Sequence, residues 1–319
     1  MQIASEMESS IWLLAALYSR EKYTDLSIFL NALECLRQGE RLFSSDFLHS
    51  CPELRPLALK YSPTQLSQFV KELCQSAQRG HLLLYPGHDL FPASYLTLEE
   101  VPYLLRLKGS PVWLGLPGLA VVGSREPSRP TQQWMDQHLG EFLRRQACFS
   151  VSGGARGVDQ KAHLLSLLMS RPTVVLLPSG LSEMYPHSLR DLEKNILEGG
   201  GAFLSEYEDG RRMQKHFFVQ RNRLISGLAR ATVILEARLR SGTLLTAQEA
   251  VEQHKPVWVL PGHPADPSMQ GSLELLYSGA SMVRDAEDLI SMYNSEIQDL
   301  TEPSEKLVEH LVGENSMLH

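Results

Sequence analysis

Three short loops in the middle of the chain carry glycine, hydroxyl and arginine side chains directly after apolar segments. They are Gly123-Ser124-Arg125, then Ser152-Gly153-Gly154 with Arg156 close behind, and finally Arg240-Ser241-Gly242. Glycine lets the backbone approach a ligand closely, and backbone N–H groups, hydroxyls and guanidinium groups all donate hydrogen bonds to phosphate oxygens. For the first loop alone, an ordinary strand-to-helix turn is an equally good explanation. Together, the three loops predict a surface that binds a polyanion.

The segment from Arg211 to Arg240 is strongly basic. It contains eight lysines and arginines and one acid, Glu236, so it carries a charge of +7 while the rest of the chain carries −14. Phe217 and Phe218 lie within it. Cations interleaved with aromatic rings suit a single-stranded nucleic acid, because the cations meet phosphates and a ring stacks on a base. We expect one of the two phenylalanines to pack in the core instead.

Other polar residues in the same region offer catalytic or structural roles. Asp159 and His163 are four residues apart on a predicted helix, so they could form an acid–base pair. A structural hydrogen bond near the start of that helix is the better explanation. Glu236 stands at the end of an apolar segment and could pair with Arg223 or Arg240. The sequence has no P-loop and no GxSxG elbow, and the second loop has GGxxG spacing in place of a dinucleotide fingerprint.

The elements that must position these residues follow a regular pattern from Leu119 onward. Short apolar runs alternate with amphipathic stretches, and the runs are LAVVG, FSVSG, PTVVLLPSG, GAFLSE, ATVILEA, PVWVLPG and SMVRD. In the first amphipathic stretch, Met135, Leu139 and Phe142 share one helical face. Strands alternating with helices predict an α/β, doubly wound, mostly parallel sheet covered on both faces. Ligands of such sheets bind outside the carboxyl ends of the strands, where the three loops stand.

Two further regions flank this domain. Residues 1–78 have apolar residues at helical spacing in IWLLAALY, LSIFLNALECL and LSQFVKELC, which predicts a small N-terminal all-helical module. Residues 79–292 form the α/β domain, which begins with an irregular stretch and a short strand between Leu82 and Gly109. After Ile290 we expect a polar linker, then a short helix in SEKLVEHLVG, and we assign 293–319 to them. No catalytic constellation occurs in the first region.

Composition and charge limit the function classes. The chain has 319 residues, of which 43% are hydrophobic and 21% charged, as in an ordinary globular protein of about two domains. The net charge of −7 excludes a uniformly basic coat but not a local basic patch. The four cysteines form no CxxC pair, which disfavours a zinc site and a disulfide framework. The longest early apolar run, Ile11 to Tyr18, is too short to span a bilayer, so we expect a cytoplasmic protein.

The stretch from about Tyr85 to Ile290 resembles the DNA-processing protein A family (Smf/DprA). The resemblance rests on an ordered series of motifs: YPGHDL, VVGSR, SGGARGVDQKAH, LPSGLSEMYP, FLSEY, KHFFVQRNRLISGLA, VILEARLRSGTLLTA, and VLPGHP followed by GSLELLYSGA. One of these motifs alone is weak evidence, but all of them in this order make the match specific.

The resemblance implies an extended Rossmann-like fold with a small helical, SAM-like N-terminal module, and a homodimer without cofactor or enzymatic activity. The family binds single-stranded DNA, protects it, and loads the recombinase RecA onto it during natural transformation. Its phosphate-binding loop and its strand-contacting Lys and Phe map to Gly123-Ser124-Arg125, Lys215 and Phe218. Combined with the loops described above, the predicted DNA-binding residues are Gly123, Ser124, Arg125, Ser152, Gly153, Gly154, Arg156, Lys215, Phe218, Arg221, Asn222, Arg223, Arg240, Ser241 and Gly242.

Two alternative functions stay open on the sequence. A Rossmann-like hydrolase of the N-glycosidic bond of nucleotides would need an acid in a glycine-rich phosphate site, and Glu206 or Glu236 could supply it. The basic stretch is longer than one nucleotide requires, which favours DNA. An interaction protein that recruits the recombinase and barely touches DNA fits the net charge, but the basic stretch argues against it.

The C-terminal region departs from the resemblance. Many family members end in a winged-helix-like domain, whereas only 29 residues follow Ile290 in this sequence. We therefore expect 293–319 to be a remnant of such a domain.

Overall fold

Within residues 5–298, which the structure, a computed structural model, describes, nine strands form one sheet with helices on both faces. The strands are β1 (Leu82–Leu84), β2 (Leu105–Gly109), β3 (Gly118–Gly123), β4 (Phe149–Ser152), β5 (Thr173–Leu176), β6 (Ala202–Ser205), β7 (Ala231–Leu235), β8 (Val257–Val259) and β9 (Ser281–Met282). The helices are α1 (Glu6–Glu21), α2 (Leu26–Arg37), α3 (Ser45–Ser50), α4 (Arg55–Lys60), α5 (Pro63–Gln78), α6 (Arg129–Trp134), α7 (Gly140–Arg145), α8 (Val158–Leu168), α9 (Arg190–Glu198), α10 (Lys215–Leu228), α11 (Gly242–Glu252), α12 (Gln270–Tyr277) and α13 (Ala286–Gln298). None of these helices is long and apolar enough to cross a membrane.

The order of the strands is β1-β2-β6-β5-β4-β3-β7-β8-β9. β2 is antiparallel to both of its neighbours, and all other pairs are parallel, which confirms the predicted mostly parallel, doubly wound sheet. From β3 the chain first winds to β4 on one side and later returns to β7 on the other. β3 and β7 therefore stand where the winding reverses, and in such sheets ligands bind outside the carboxyl ends of the strands at that point.

Successive side chains of each strand point to opposite faces of the sheet, so a core forms on each face. Leu119 and Val121 of β3 pack on one face with Phe142, whereas Ala120 and Val122 pack on the opposite face. Strands β3 to β8 are buried along almost their whole length, because helices cover both faces. The predicted first amphipathic helix is present as α6 and α7, joined by a π-helical turn at Met135–Leu139.

The N-terminal region is helical, as predicted, but it shares its core with the segment before β2. Tyr18 and Phe29 of the first two helices both lie with their ring centroids 5.0 Å from the ring of Tyr103. Ser5 and Ser62 cap α1 and α5, each in a reciprocal capping box that satisfies backbone N–H groups at the helix start. Aromatic packing across the junction therefore ties the helices to the sheet.

The expected boundary after residue 292 is wrong, because it falls inside α13. Tyr293 is fully buried, its ring meets that of Phe142 at 5.1 Å, and its hydroxyl donates to the carbonyl oxygen of Pro117 at 2.8 Å. An aromatic side chain that fills the core under α7 holds this helix to the sheet, so no linker begins at 293. The predicted helix in SEKLVEHLVG lies outside the described residues.

Candidate functional site

A cleft of about 410 Å³ opens at the carboxyl ends of β3 and β7, where the winding reverses. Its walls come from the loops after β3, β4 and β7 and from one face of α10. The lining residues are Val122, Gly123, Ser124, Arg125, Glu126, Ala155, Asp159, Phe218, Arg221, Asn222, Ile225, Glu236, Arg238, Ser241, Gly242, Thr243 and Thr246. The structure thus brings together predicted residues of the loops after β3 and β7 and of α10, whereas the predicted residues after β4 are not among the lining residues: Ser152, Gly153, Gly154 and Arg156.

The loop after β3 forms the first wall of the cleft. A β-carbon at Gly123 would lie 1.9 Å from the carbonyl oxygen of Leu235 on β7, so only glycine fits there. The Ser124 hydroxyl accepts a hydrogen bond from the Glu126 backbone N–H at 3.2 Å and lines the cleft. Arg125 is exposed, and its guanidinium carbon lies 5.7 Å from the ring centroid of Phe218. A cation and an aromatic face therefore meet at the surface of the cleft.

The glycines after β4 make room for protein groups. A β-carbon at Gly153 would lie 2.2 Å from the guanidinium group of Arg221, and Gly154 has a φ of 69° that favours glycine. The hydroxyl of Ser152 is buried and donates to the carbonyl oxygen of Val121 at 2.7 Å. The prediction that Ser152 offers its side chain to a ligand is therefore wrong, because that hydroxyl links β4 to β3.

One face of α10 forms the second wall. Phe218 is followed after three and four residues by Arg221 and Asn222, and Ile225 lies three residues further on, so the four share one side of the helix and line the cleft together. Lys215 is exposed at the helix start, three residues before Phe218.

Phe217 packs on a different side of α10. Its ring is buried and stacks on that of Tyr207, with centroids 4.0 Å apart. The expectation that one of the two phenylalanines belongs to the core is confirmed.

Two buried charged residues, Arg221 and Asp159, lie at the base of the cleft and attract each other electrostatically. Arg221 is buried and donates to the carbonyl oxygen of Leu176, and its Nε has no hydrogen-bond partner among the described residues. Burial lowers the pKa of Arg221 to about 10, so the guanidinium is still charged at neutral pH. Burial raises the pKa of Asp159 to about 6, against the attraction of Arg221 and a hydrogen bond from the Ala155 N–H at 3.2 Å.

The Asp159–His163 pair does not act as an acid–base pair. His163 is fully buried and its Nδ1 lies 2.6 Å from the hydroxyl oxygen of Thr173, away from the cleft. Burial lowers its pKa to about 3, so the imidazole is neutral. The structural explanation of this histidine is confirmed.

Arg223 does not reach the cleft, which corrects its predicted role. Its guanidinium makes two hydrogen bonds of 2.7 Å to the carboxylate of Glu206, because residue 223 lies two positions beyond Arg221 and faces another side of α10. Glu236 accepts from the N–H of Ser128 at 2.8 Å and from the Thr131 hydroxyl at 2.7 Å. The predicted pairing of Glu236 with Arg223 or Arg240 is therefore wrong.

The same contacts bear on the hydrolase alternative. Both glutamates proposed as its acid are held by structural partners: Glu206 by Arg223, and Glu236 by the start of α6. Only Glu236 lines the cleft.

The loop after β7 completes the cleft. Ser241 and Gly242 line it at the start of α11, and the Ser241 hydroxyl has no hydrogen-bond partner among the described residues, although this serine occupies the N-cap position. Arg240 and Arg156 are exposed on the loops after β7 and β4 but are not among the lining residues. Asn222 spans the cleft floor, and its side-chain amide lies 3.5 Å from the Gly242 carbonyl oxygen.

Two residues were missed by the sequence reasoning. Arg238 lines the cleft and is exposed, and its place in the basic stretch was the available signal. Tyr185, in the loop after β5, meets the ring of Phe218 edge-on with centroids 5.8 Å apart. Its aromatic type at a strand end was the only sequence signal. Among the described residues, no cluster of His, Cys, Asp and Glu could hold a metal ion.

Comparison with known proteins places this chain among DNA-processing proteins. Residues 82–294 match the family model of DNA recombination-mediator protein A. The chain is 34% identical over 218 residues to Protein Smf of Escherichia coli and 32% identical over 205 residues to DNA processing protein DprA of Streptococcus pneumoniae. These alignments cover 68% and 64% of this chain, and 58% and 72% of the two relatives. The chain thus spans less than two thirds of the length of Smf.

Two solved structures share the fold. DprA of Streptococcus pneumoniae superposes with a TM-score of 0.71 at 26% identity, covering 91% of this chain and 98% of that one. DNA processing protein A of Helicobacter pylori, for which a single-stranded DNA binding mode is described, superposes with a TM-score of 0.60 at 29% identity, covering 68% and 96%. The Rossmann-like fold expected from the sequence is therefore confirmed.

Proposed function

Because the chain belongs to the DNA recombination-mediator protein A family, we propose that it binds single-stranded DNA in the cleft at the carboxyl edge of its sheet. The observation that carries this proposal is the joint presence of Arg125 and Phe218 at the cleft surface, with Lys215 one helical turn away. Cations beside a partly exposed ring suit a flexible DNA strand, which offers phosphates and unstacked bases.

The chemistry of binding divides between phosphates and bases. Arg125, Lys215, Arg238 and the exposed arginines of the surrounding loops neutralise phosphates, and the Ser241 hydroxyl and the start of α11 donate hydrogen bonds to them. Phe218 stacks on a base. Such contacts carry little sequence information, so binding is tolerant of sequence and depends strongly on salt.

The start of α10 adds to the attraction. The first turn of this helix has no acidic residue and begins with Lys215, although a cation at a helix N-terminus is electrostatically unfavourable for the helix itself. A phosphate bound there relieves that repulsion. Binding of a DNA strand thus explains the presence of Lys215 at this position, which helix stability does not explain.

We also propose that the protein works as a homodimer that protects incoming single strands and delivers them to RecA. The support is family membership, together with the outer edge of the sheet at β9, on which Met282 is exposed. The measurement is the rate of RecA filament formation on single-stranded DNA with and without this protein. An unchanged rate would remove the loading step from the proposal.

The DNA site is tested with a labelled oligo-dT of about 30 nucleotides by fluorescence anisotropy, titrated at two salt concentrations. We expect Lys215→Ala to weaken binding about tenfold, since a charge-assisted hydrogen bond is lost. The slope of log affinity against log salt should become shallower by about 0.7, the value for one phosphate contact on a single strand.

Lys71→Ala is the matched control, because it removes the same charge from an exposed position of α5, far in sequence from the cleft loops. It should leave the titration unchanged. Equal effects of the two substitutions, or no effect of Lys215→Ala, would exclude Lys215 from the DNA site.

A further inference from the structure

A second cavity, of about 560 Å³, lies where the N-terminal helices meet the sheet. α1 and the turn after it form one wall, and the segment before β2, the loop after β6 and α10 form the others. Phe217, Gln220 and Arg223 line it, whereas Phe218 and Arg221 line the cleft on a different side of α10. The two cavities share no lining residue.

Aromatic rings and buried hydroxyls make up much of the cavity wall. Besides the stacked pair of Tyr207 and Phe217, the rings of Tyr18, Tyr23 and Tyr103 line it. The hydroxyl oxygens of Tyr18 and Tyr103 are buried without a hydrogen-bond partner among the described residues. Burial raises the pKa of both hydroxyls, that of Tyr103 to about 12, so they are neutral donors at pH 7. The wall therefore offers aromatic ring faces whose hydroxyls carry no charge.

The charges of the cavity leave cations free. Its carboxylates already lie within 4.0 Å of arginines, as the 2.7 Å contact of Glu206 with Arg223 illustrates. Lys22 and Arg211 line the cavity and are exposed, and the guanidinium carbon of Arg211 lies 5.6 Å from the ring centroid of Phe217. Arg106 is only 5% exposed, and its Nε lies 4.0 Å from a carboxylate oxygen of Asp209. An anionic group at the cavity mouth would therefore meet Lys22 and Arg211.

We propose that this cavity binds a nucleotide, with its phosphate at Lys22 and Arg211 and its base among the tyrosine rings. The volume lies within the range of about 300–1,000 Å³ that small-molecule sites occupy. A base is planar and stacks on aromatic rings, and the rings of Tyr23 and Tyr207 are partly exposed in the cavity wall. An acidic peptide would use the cations but would leave the aromatic wall without a matching group. The inference stands independently of DNA binding in the cleft.

The test is isothermal titration of the full chain with dTMP, with dAMP and with inorganic phosphate. We expect one nucleotide bound per chain, and binding that persists in Lys215→Ala, because Lys215 does not line this cavity. Arg211→Gln should weaken nucleotide binding about tenfold, since an exposed charged donor to phosphate is lost. Tyr23→Ala, which removes a partly exposed ring from the cavity wall, should weaken it about threefold or more.

Three results would overturn the proposal. The first is no saturable binding of either nucleotide at millimolar concentration. The second is binding that Lys215→Ala abolishes and Arg211→Gln leaves intact, because the nucleotide would then occupy the cleft. The third is equal affinity for inorganic phosphate and dTMP, because the aromatic wall would then contribute nothing.

The nucleotide could be free or could be the end of a DNA strand, and competition separates the two sources. Oligo-dT with a terminal phosphate is added to Lys215→Ala already saturated with dTMP. Displacement of dTMP assigns the cavity to strand ends, and retention assigns it to free nucleotides. In both cases the loss of dTMP binding in Arg211→Gln supports the proposal.

Discussion

Phe217 and Phe218 are adjacent on α10, yet their rings lie in different surroundings. Phe217 is buried against Tyr207, whereas Phe218 is partly exposed between Arg125 and Tyr185. Successive residues of a helix differ by about 100° in direction, so neighbours in the chain serve the core and the surface at once. At the scale of single residues, Phe218 is therefore the ring available to stack on a base.

Replacing this ring tests the stacking. Phe218→Leu should weaken oligo-dT binding by about 1–3 kcal/mol, the value of one base–aromatic stack. Phe218→Tyr keeps the aromatic face and should bind almost as the unmodified chain does. Anisotropy titrations compare the three proteins. If the Phe218→Leu protein binds oligo-dT as tightly as the unmodified chain does, no base stacks on residue 218.

Asp159 gives the cleft a dependence on pH. Its pKa is raised to about 6 by burial, so it carries a negative charge at pH 7.5 and loses that charge as the pH falls through 6. Because a carboxylate repels phosphate, we expect oligo-dT affinity to rise as the pH is lowered from 7.5 to 5.5. Asp159→Asn should bind about two- to fivefold more tightly at pH 7.5, corresponding to about 0.5–1 kcal/mol of partly screened repulsion. It should also lose most of the pH dependence, and an equally steep profile in Asp159→Asn would assign that dependence to other groups.

At the scale of elements, α13 decides where the folded domain ends. Tyr293 packs against Phe142 and donates to the Pro117 carbonyl oxygen, so this helix closes one face of the sheet. We expect Tyr293→Ala to lower the free energy of unfolding by about 3–5 kcal/mol, as for other large buried aromatics. Tyr293→Phe should cost about 1 kcal/mol, the value of one hydrogen bond. Urea denaturation measures both, and a loss below 1 kcal/mol in Tyr293→Ala would mean that α13 is not part of the core.

At the scale of the whole molecule, the sheet has an exposed outer edge at β9. No strand pairs with the outer side of β9 within residues 5–298, and Met282 on it is 51% exposed. Tyr277 at the end of α12 is 92% exposed, which is unusual for so large a ring. Unpaired edges beside apolar side chains favour association with a second chain. We propose that two copies of this chain meet at this edge.

Charge placed on the edge tests that dimer. Tyr277→Glu should convert it to a monomer in light scattering coupled to size exclusion, because a carboxylate would be buried in the interface. Loss of the dimer should weaken binding of strands long enough to reach two clefts by about tenfold or more, through lost avidity. Leu59→Glu, at an 87% exposed position of α4, is the control and should change neither property. A Tyr277→Glu protein that is still dimeric would place the interface elsewhere.

The sequence alone predicted the fold class and the edge of the sheet at which the candidate site lies. Both depend on local patterns: short apolar runs for strands, amphipathic stretches for helices, and glycine and arginine at strand ends. Parallel connectivity then places the loops after β3, β4 and β7 at one edge, whatever the details of packing. Resemblance in the ordered motifs added Lys215 and Phe218, which occupy one side of α10 as their spacing of three requires.

Only the tertiary structure decided which of the predicted residues are free to meet a ligand. Arg221 is buried against Gly153 and Leu176, and Arg223 is neutralised by Glu206, although both belong to the same basic run. Their partners lie between 17 and 68 residues away in the chain, so no local pattern reveals them. The second cavity has the same origin, since α1 and the loop after β6 line it together. Side-chain direction depends on helix phase and on distant partners, and these are set only when the elements pack.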